Sequence, residues 1–249
     1  MEKIMFNEIK NLQYENKEIK FYTPNKRTIG RVNNIFRKEP ITITWMNNIK
    51  ENEVVIDIGA NVGMYTLMSC VGRGAVVYSF EPESSNYNLL QQNINLNNAS
   101  EKIQSYCAGV LDYDGYSFLN IAKDGYVGPG GSGSTVEEKV IFDLSPMNVI
   151  FKQGINVIKL DTFCEKMKIK PDHIKIDVDG LEHRVINGAI ESIKNSKTVI
   201  VELNTNLKQH NDIVILMKSL NFKLDEEQVK QSLRKDGTFK NVGEHLFYK

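Results

Sequence analysis

The chain has 249 residues, 41% of them hydrophobic and 25% charged, which is the composition of a globular protein with one large buried core. Thirty-one lysines and arginines balance thirty-one aspartates and glutamates, so there is no overall field to hold a polyanion, and nucleic acid is not an expected partner. Cys70, Cys107 and Cys164 are odd in number, far apart and without a Cys/His metal pattern, which argues against a disulfide framework or structural zinc. With charged residues close to the start and no run of about 18 apolar residues, the expectation is a cytoplasmic protein without a membrane span.

In chain order, the first 50 residues carry two extended-looking pieces, IKFYT from Ile19 and ITITWM from Ile41. They also carry a stretch, Lys20 to Lys38, with six basic residues (Lys20, Lys26, Arg27, Arg31, Arg37, Lys38) and no acid. Residues 1–50 read as a cap on a domain spanning 51–249. From about Val54 the chain alternates β-branched runs with helical spacing, the signature of βαβ units. Strands are expected at Val54 to Ile58, Val76 to Phe80, Ile103 to Cys107, His173 to Val178 and Thr198 to Leu203, with crossover helices at Asn86 to Leu96 and Asn211 to Leu220. An insertion at about 110–170 holds the turn GPGGSGST, Gly128 to Thr135, and a further strand, Val157 to Leu160. FKLDEE and HLFYK then suggest a closing antiparallel hairpin at the sheet edge. The fold class is α/β, a mostly parallel Rossmann-like sheet flanked by helices.

The strongest local pattern is VVIDIGANVGMYTL. A buried strand ends in Asp57, and Gly59 and Gly63 let the backbone turn tightly into a helix whose first amides face the strand ends. The dinucleotide fingerprint needs glycine where Asn61 stands, which weakens a nicotinamide reading, and no GK[ST] follows to make a Walker loop. In the remaining D-x-G-x-N-x-G turn, Asp57 can accept from a cationic amino group such as that of S-adenosylmethionine. Glu81, 22 residues beyond Gly59, ends the second strand where an acid meets ribose hydroxyls in nucleotide-binding βαβ folds.

Asp177 ends the fourth strand, at the edge where open α/β sheets bind ligands. In the helix that follows, Leu181, Val185, Ile186, Ala189, Ile190 and Ile193 form an apolar stripe with Glu182 at its centre. A carboxylate there reads either as a catalytic group or as a cap on its own backbone. His183 flanks the stripe, with a titration range suited to proton abstraction. Glu202 and Asn204 end the fifth strand on one face and, with Asp177 and Asp179, offer oxygens to a substrate hydroxyl or a hard cation; no metal site is assigned.

These segments, from KEPITITWM through VIDIGANVGMYTL, FEPESSNYNLLQQNINLNN, the SGST turn and INVIKLDTF to IKIDVDGLEHRVINGA, resemble the FkbM family of S-adenosylmethionine-dependent methyltransferases from about Lys38 to Asn204. The resemblance implies a class I methyltransferase fold acting on hydroxyl groups of sugars, glycoconjugate precursors or secondary metabolites, with S-adenosylhomocysteine as by-product. It implies that Asp57, Gly59, Asn61 and Gly63 meet the methionine half of the cofactor, Glu81 its ribose, and Asp177 the neighbourhood of the sulfonium. Ala60, Met64, Pro82, Cys107 and Ala108 complete the expected cofactor contacts. Asp177, Glu182 and His183 are the candidate bases. The expected acceptor site holds Arg27, Arg31, Ser132, Ser134, Thr135, Glu202 and Asn204. The basic stretch and the hydroxyl-rich turn together suggest an anionic small-molecule or glycan acceptor, including phosphorylated or nucleotide-linked sugars. Two readings of other kinds compete: a nicotinamide-dependent oxidoreductase on the same architecture, and a non-catalytic sugar-binding relative.

Overall fold

The computed structural model describes residues 8–122, 128–132, 134–136, 148–237 and 240–249. It opens with a hairpin, β1 (Ile9–Tyr14) and β2 (Lys17–Tyr22), whose alternate residues Leu12, Tyr14, Ile19 and Phe21 are buried. Helix α1 (Lys26–Lys38) starts where Asn25 and Thr28 cap each other, Thr28 N giving to Asn25 Oδ1 at 3.0 Å and Asn25 N to Thr28 Oγ1 at 3.3 Å. ITITWM is helical rather than extended. Pro40 supplies the fixed φ that opens α2 (Pro40–Met46), and Thr42, Trp45 and Met46 fall on one buried face at helical spacing, which overrides the alternation of isoleucine and threonine.

The main sheet begins with β3 (Val54–Ile58), which turns through Gly59–Gly63 into α3 (Met64–Leu67) and a π-helical turn, Met68–Gly72. Then follow β4 (Val76–Phe80), α4 (Ser84–Leu96) and β5 (Ile103–Tyr106). The insertion builds a second, three-stranded sheet from β6 (Ala108–Val110), β7 (Gly115–Ala122) and β8 (Val149–Ile158), in the order β6-β8-β7. The chain returns through α5 (Leu160–Met167) to β9 (His173–Ile176), α6 (Glu182–Asn187), α7 (Ile190–Asn195), β10 (Thr198–Asn204) and α8 (Lys208–Ser219). It ends with β11 (Lys223–Leu224), α9 (Glu226–Ser232) and β12 (Val242–Tyr248).

The seven-stranded order is β11-β12-β10-β9-β3-β4-β5. From β10 to β5 neighbours are parallel, and β12 is antiparallel to both β10 and β11, which gives the closing hairpin. Alternation sends Ile56, Ile58, Tyr78 and Phe80 into a core shared with α5 to α8, and Val55 and Val77 into a second core with residues of the first 50 positions, among them Phe21, Ile35, Trp45 and Met46. The N-terminal segment thus covers one face of the sheet.

Several expected boundaries move. β5 stops at Tyr106, which leaves Cys107 outside, and β9 stops at Ile176. β8 starts well before Val157 and ends at Ile158, so that Leu160 opens α5. Of FKLDEE only Lys223 and Leu224 pair, because Asp225 caps α9 by accepting from the Glu227 and Gln228 amides. The apolar stripe from Leu181 to Ile193 is carried by two short helices, not one; at the break Gly188 passes so close to the Leu111 carbonyl oxygen that a Cβ would sit 2.0 Å from it.

Candidate active site

The cleft lies over the C-terminal ends of β3, β4, β9 and β10, where parallel strands leave their loops and helix N-termini facing a common space. One wall is mostly backbone. Gly59 (φ +80) packs so closely on the next strand that a Cβ would sit 1.8 Å from the Asp177 carbonyl oxygen. The Gly59 and Ala60 amides both give to the Phe80 carbonyl at 3.0 Å, tying the turn to β4. Glu81 is buried beside it and accepts from Asn61 N at 2.8 Å and from Glu83 N at 2.9 Å. Burial raises its pKa to about 7 against the pull of those two amides.

The adjoining wall is made of paired charges. Lys175 stands beside Asp57 in the β3–β9 register, both on the sheet face covered by the N-terminal segment. Its Nζ lies 3.2 Å from Asp177 Oδ2, 3.8 Å from Asp57 Oδ1 and 4.9 Å from the centroid of the Tyr65 ring. Asp57 Oδ2 accepts from Thr66 Oγ1 at 2.6 Å. Burial disfavours the charged form of Asp177, but Lys175 and Lys38 outweigh it and hold its pKa below the usual carboxylate value. Glu202 accepts from Arg234 at 2.6 Å through Oε1 and stands opposite Glu244 in the β10–β12 register. Burial and the Asp177 charge push Glu202 up to about 8 despite Arg234, and burial and Glu39 push Glu244 up to about 7. Glu39 is itself buried and paired with Lys38 at 3.0 Å.

The third side is α1 together with the glycine-rich turn. Arg31, Ile35 and Lys38, one face of α1, line the cleft. The turn is pinned across it by Arg31 Nε to Gly130 O (3.1 Å), Gly130 N to Asn86 Oδ1 (2.8 Å), Asn61 Nδ2 to Gly131 O (2.6 Å) and Asn25 Nδ2 to Pro129 O (2.8 Å).

Of the residues singled out in the sequence, Gly59, Ala60, Asn61, Met64, Glu81, Pro82, Asp177, Arg31, Ser132, Ser134 and Glu202 line this cleft. Ala108 and Thr135 line an adjoining apolar recess that shares Gly59, Pro82, Leu119 and Val178 with it. Asp57 lies beneath the lining, engaged by Thr66 and Lys175. Gly63 packs beneath it on Leu90, Arg27 is exposed on α1, and Cys107 is exposed with its Sγ 3.9 Å from the Pro82 carbonyl. Glu182, His183 and Asn204 lie off the cleft lining. Glu182 is buried behind the loop after β9, and Asn204 shares with it a small polar cavity. Among the described residues, no group of three or more His, Cys, Asp or Glu converges as a metal site.

Sequence reasoning did not single out Lys175, Glu39, Tyr65, Asn86, Arg234 or Glu244. A lysine at the alternate position of HIKI, on the same strand face as Asp57, was the available signal for the first. Nothing local marks the others; Glu39, Tyr65, Asn86 and Arg234 reach the cleft only through the fold, and Glu244 stands outside the lining, opposite Glu202 in the strand register.

The profile of the methyltransferase FkbM domain matches residues 57–224. Among curated proteins, the hexuronic acid methyltransferase AglP of Haloferax volcanii is 22% identical over 187 residues, 74% of this chain and 70% of its own length. The methyltransferase sdnD of Sordaria araneosa is 25% identical over 167 residues, 58% of this chain and 63% of its own. Among solved structures, an rRNA methylase from Streptococcus thermophilus superposes with a TM-score of 0.49 at 8% identity, covering 86% of this chain and 98% of that one. With the family profile spanning the sheet from Asp57 to Leu224, this chain belongs to the FkbM methyltransferase family.

Proposed function

We propose that the cleft binds S-adenosylmethionine and that the protein transfers its methyl group to an oxygen of an anionic sugar or related small molecule. The observation that carries the reading is the pairing of the glycine turn with Glu81: only glycine fits at position 59, and beside it a buried carboxylate faces the cleft. These residues fit the cofactor. Glu81 would accept from the two ribose hydroxyls, Pro82, Leu119 and Ala108 border an apolar recess for the base, and Asp177 with Glu39 would face the cationic end. Asp57 acts one layer down, holding Lys175, which in turn holds Asp177.

When bound, the donor supplies a methyl group made electrophilic by a sulfonium. The chain's part is to hold the acceptor oxygen in line and take its proton. Glu202 is the carboxylate for that task. Its Oε2 makes no hydrogen bond among the described residues and it lines the cleft; with its pKa pushed up to about 8 it holds a proton firmly and acts as a base in its ionised fraction, so that the rate should rise with pH through that value, whereas Lys175 keeps Asp177 a poor proton acceptor. Glu182 and His183, the other candidate bases, lie away from the cleft lining and are not placed to take that proton directly.

The sugar class is supported by the AglP relative, whose named substrate is a hexuronic acid. An anionic acceptor is supported by Arg31, whose Nε is fixed to Gly130 O and whose terminal nitrogens make no hydrogen bond among the described residues. The expectation that nucleic acid is not the acceptor rests on the zero net charge alone. The test is to offer labelled methyl donor with glucuronic and galacturonic acids, free and nucleotide-linked, beside glucose and galactose. Label in the acidic sugars, falling as salt rises, is the expected result. Equal, salt-independent labelling of the neutral sugars would remove the anionic acceptor, and no labelling of either group would remove sugars.

A further inference from the structure

Behind the cleft, Glu182 joins two elements that the mechanism above treats separately. The loop after β9 supplies Asp177, Val178 and Asp179 to the cleft, and it bends through two residues with positive φ, Asp179 (+54) and Gly180 (+106). A bend of this kind is sparsely populated for a residue with a side chain and persists only where the surroundings hold it. Glu182 provides the hold. Its Oε1 accepts from Gly180 N at 3.0 Å and from Val178 N at 3.3 Å, closing over the bend from the C-terminal side.

The other oxygen reaches a second element. Glu182 Oε2 lies 3.2 Å from Nε2 of His210, on α8, a close contact whose angle is not that of a hydrogen bond and which leaves each of the two atoms without another partner among the described residues; both side chains are almost fully removed from solvent. The histidine's tautomer follows from its other nitrogen. The Asn204 backbone N–H, at the end of β10, donates to His210 Nδ1 at 2.9 Å, so Nδ1 carries no proton and the neutral ring bears its hydrogen on Nε2, the nitrogen nearest Glu182 Oε2. The ends of β9 and β10, which supply Asp177 and Glu202 to the cleft, thus meet behind it where Glu182 and His210 come into contact.

We propose that Glu182 and His210 are positioning residues of the methyl-donor site, which fix the Asp177–Gly180 loop against the Gly59 turn. The proposal rests on the reading of the cleft as that site. Its route is short: the Asp177 carbonyl packs on Gly59, and Asp177 N gives to Ile58 O at 3.0 Å, so a shift of the loop is felt at the glycine turn.

Calorimetric titration with S-adenosylhomocysteine and amide hydrogen exchange on the full chain test it together. Glu182→Ala should weaken S-adenosylhomocysteine about tenfold or more, as expected when buried amides lose their acceptor. It should also speed exchange at Val178 and Gly180, with the effect spreading to Asp177. Glu182→Gln keeps an acceptor for the two amides but sets an NH2 against the His210 N–H, and His210→Asn keeps an acceptor for Asn204 N but withdraws from Glu182. Each should weaken binding about threefold to tenfold. A merely structural cap would lower the melting temperature and leave binding by the folded protein unmoved. Binding within twofold of wild type in Glu182→Gln and His210→Asn, with unchanged exchange at Val178 and Gly180, would overturn the proposal even if Glu182→Ala does not fold. Should the wild type itself fail to bind S-adenosylhomocysteine, the reading of the cleft falls, while the exchange data still decide whether Glu182 holds the loop.

Discussion

Between Gly59 and Glu81 the cleft wall is a tight backbone turn and one carboxylate, all drawn from 23 consecutive residues. Beside it, the wall of Glu39, Lys175, Asp177, Glu202 and Arg234, with Glu244 next to Glu202, comes from five separate stretches of chain and works through side-chain charge. The first wall comes from one stretch of sequence, glycine at a positive-φ turn and an acid at the next strand end, although the contact that excludes a Cβ at Gly59 is with the Asp177 carbonyl. The second exists only because β9, β10 and β12 stand side by side, and each of its charges is tolerable because another lies near it. On the proposed reading the first wall supplies shape and recognition, and the second places Glu202 for proton transfer.

The largest effect expected from breaking the charged wall is kinetic. Glu202→Gln should lower the methyl-transfer rate by about 10² to 10⁴-fold, the usual contribution of a positioned base, and leave S-adenosylhomocysteine affinity as it is. Single-turnover rates beside calorimetry separate the two. A near-normal rate would return Glu202 to a role in holding Arg234.

Next comes the ion cluster beneath the lining. Lys175→Met strips the cation from Asp57 and Asp177, and an uncompensated buried charge costs about 3–5 kcal/mol. Denaturant unfolding should show that loss, and adding Asp57→Asn should recover part of it. The glycine wall predicts no such coupling.

A smaller effect is set by pH. Glu81 and Glu244 titrate near 7 and Glu202 near 8 in the folded chain, all above the ordinary glutamate value, chiefly through burial. A carboxyl raised on folding favours the native state while protonated, and that advantage is lost as pH rises through its folded pKa. Glu53 runs the other way: burial works to raise it, but its bonds from Lys197, Lys50 N and His173 outweigh that and hold it near 2, so its contribution is constant above about pH 5. The melting temperature should therefore fall by several degrees between about pH 5 and 8.5, and Glu244→Gln should flatten the curve. A melting temperature that rises over that range would contradict the raised values of these three carboxyls.

The sequence makes the first wall legible for the physical reason that makes it local. The strand ends at Asp57, Glu81 and Asp177 and the turn glycines could be read because period-2 burial and tight turns act over a few residues. Asp57 shows the limit: its place at the strand end was legible, but its neighbour Lys175 lies more than 100 positions away and is brought alongside by strand register. Glu182 was legible as a buried acid on an apolar stripe, yet its partner His210 could not be read, because α8 meets α6 only in the packed fold. ITITWM misled for a local reason, since alternating isoleucine and threonine imitate a strand while Pro40 opens a helix.

The smallest expected effect concerns the rim. Arg31→Ala should raise KM for an acidic acceptor by roughly fivefold, about 1 kcal/mol, with the difference shrinking as salt rises and cofactor affinity unchanged. Steady-state kinetics at two ionic strengths check it.

What the glycine wall holds decides whether the cleft is a methyl-donor site. Calorimetric titration of the wild-type chain and of Glu81→Ala with S-adenosylhomocysteine, and in parallel with NAD, measures it. We predict one-to-one binding of S-adenosylhomocysteine to the wild type, a loss of about 1.5–3 kcal/mol in Glu81→Ala, and no binding of NAD. Binding of NAD in its place, or S-adenosylhomocysteine affinity that ignores Glu81, would contradict the account.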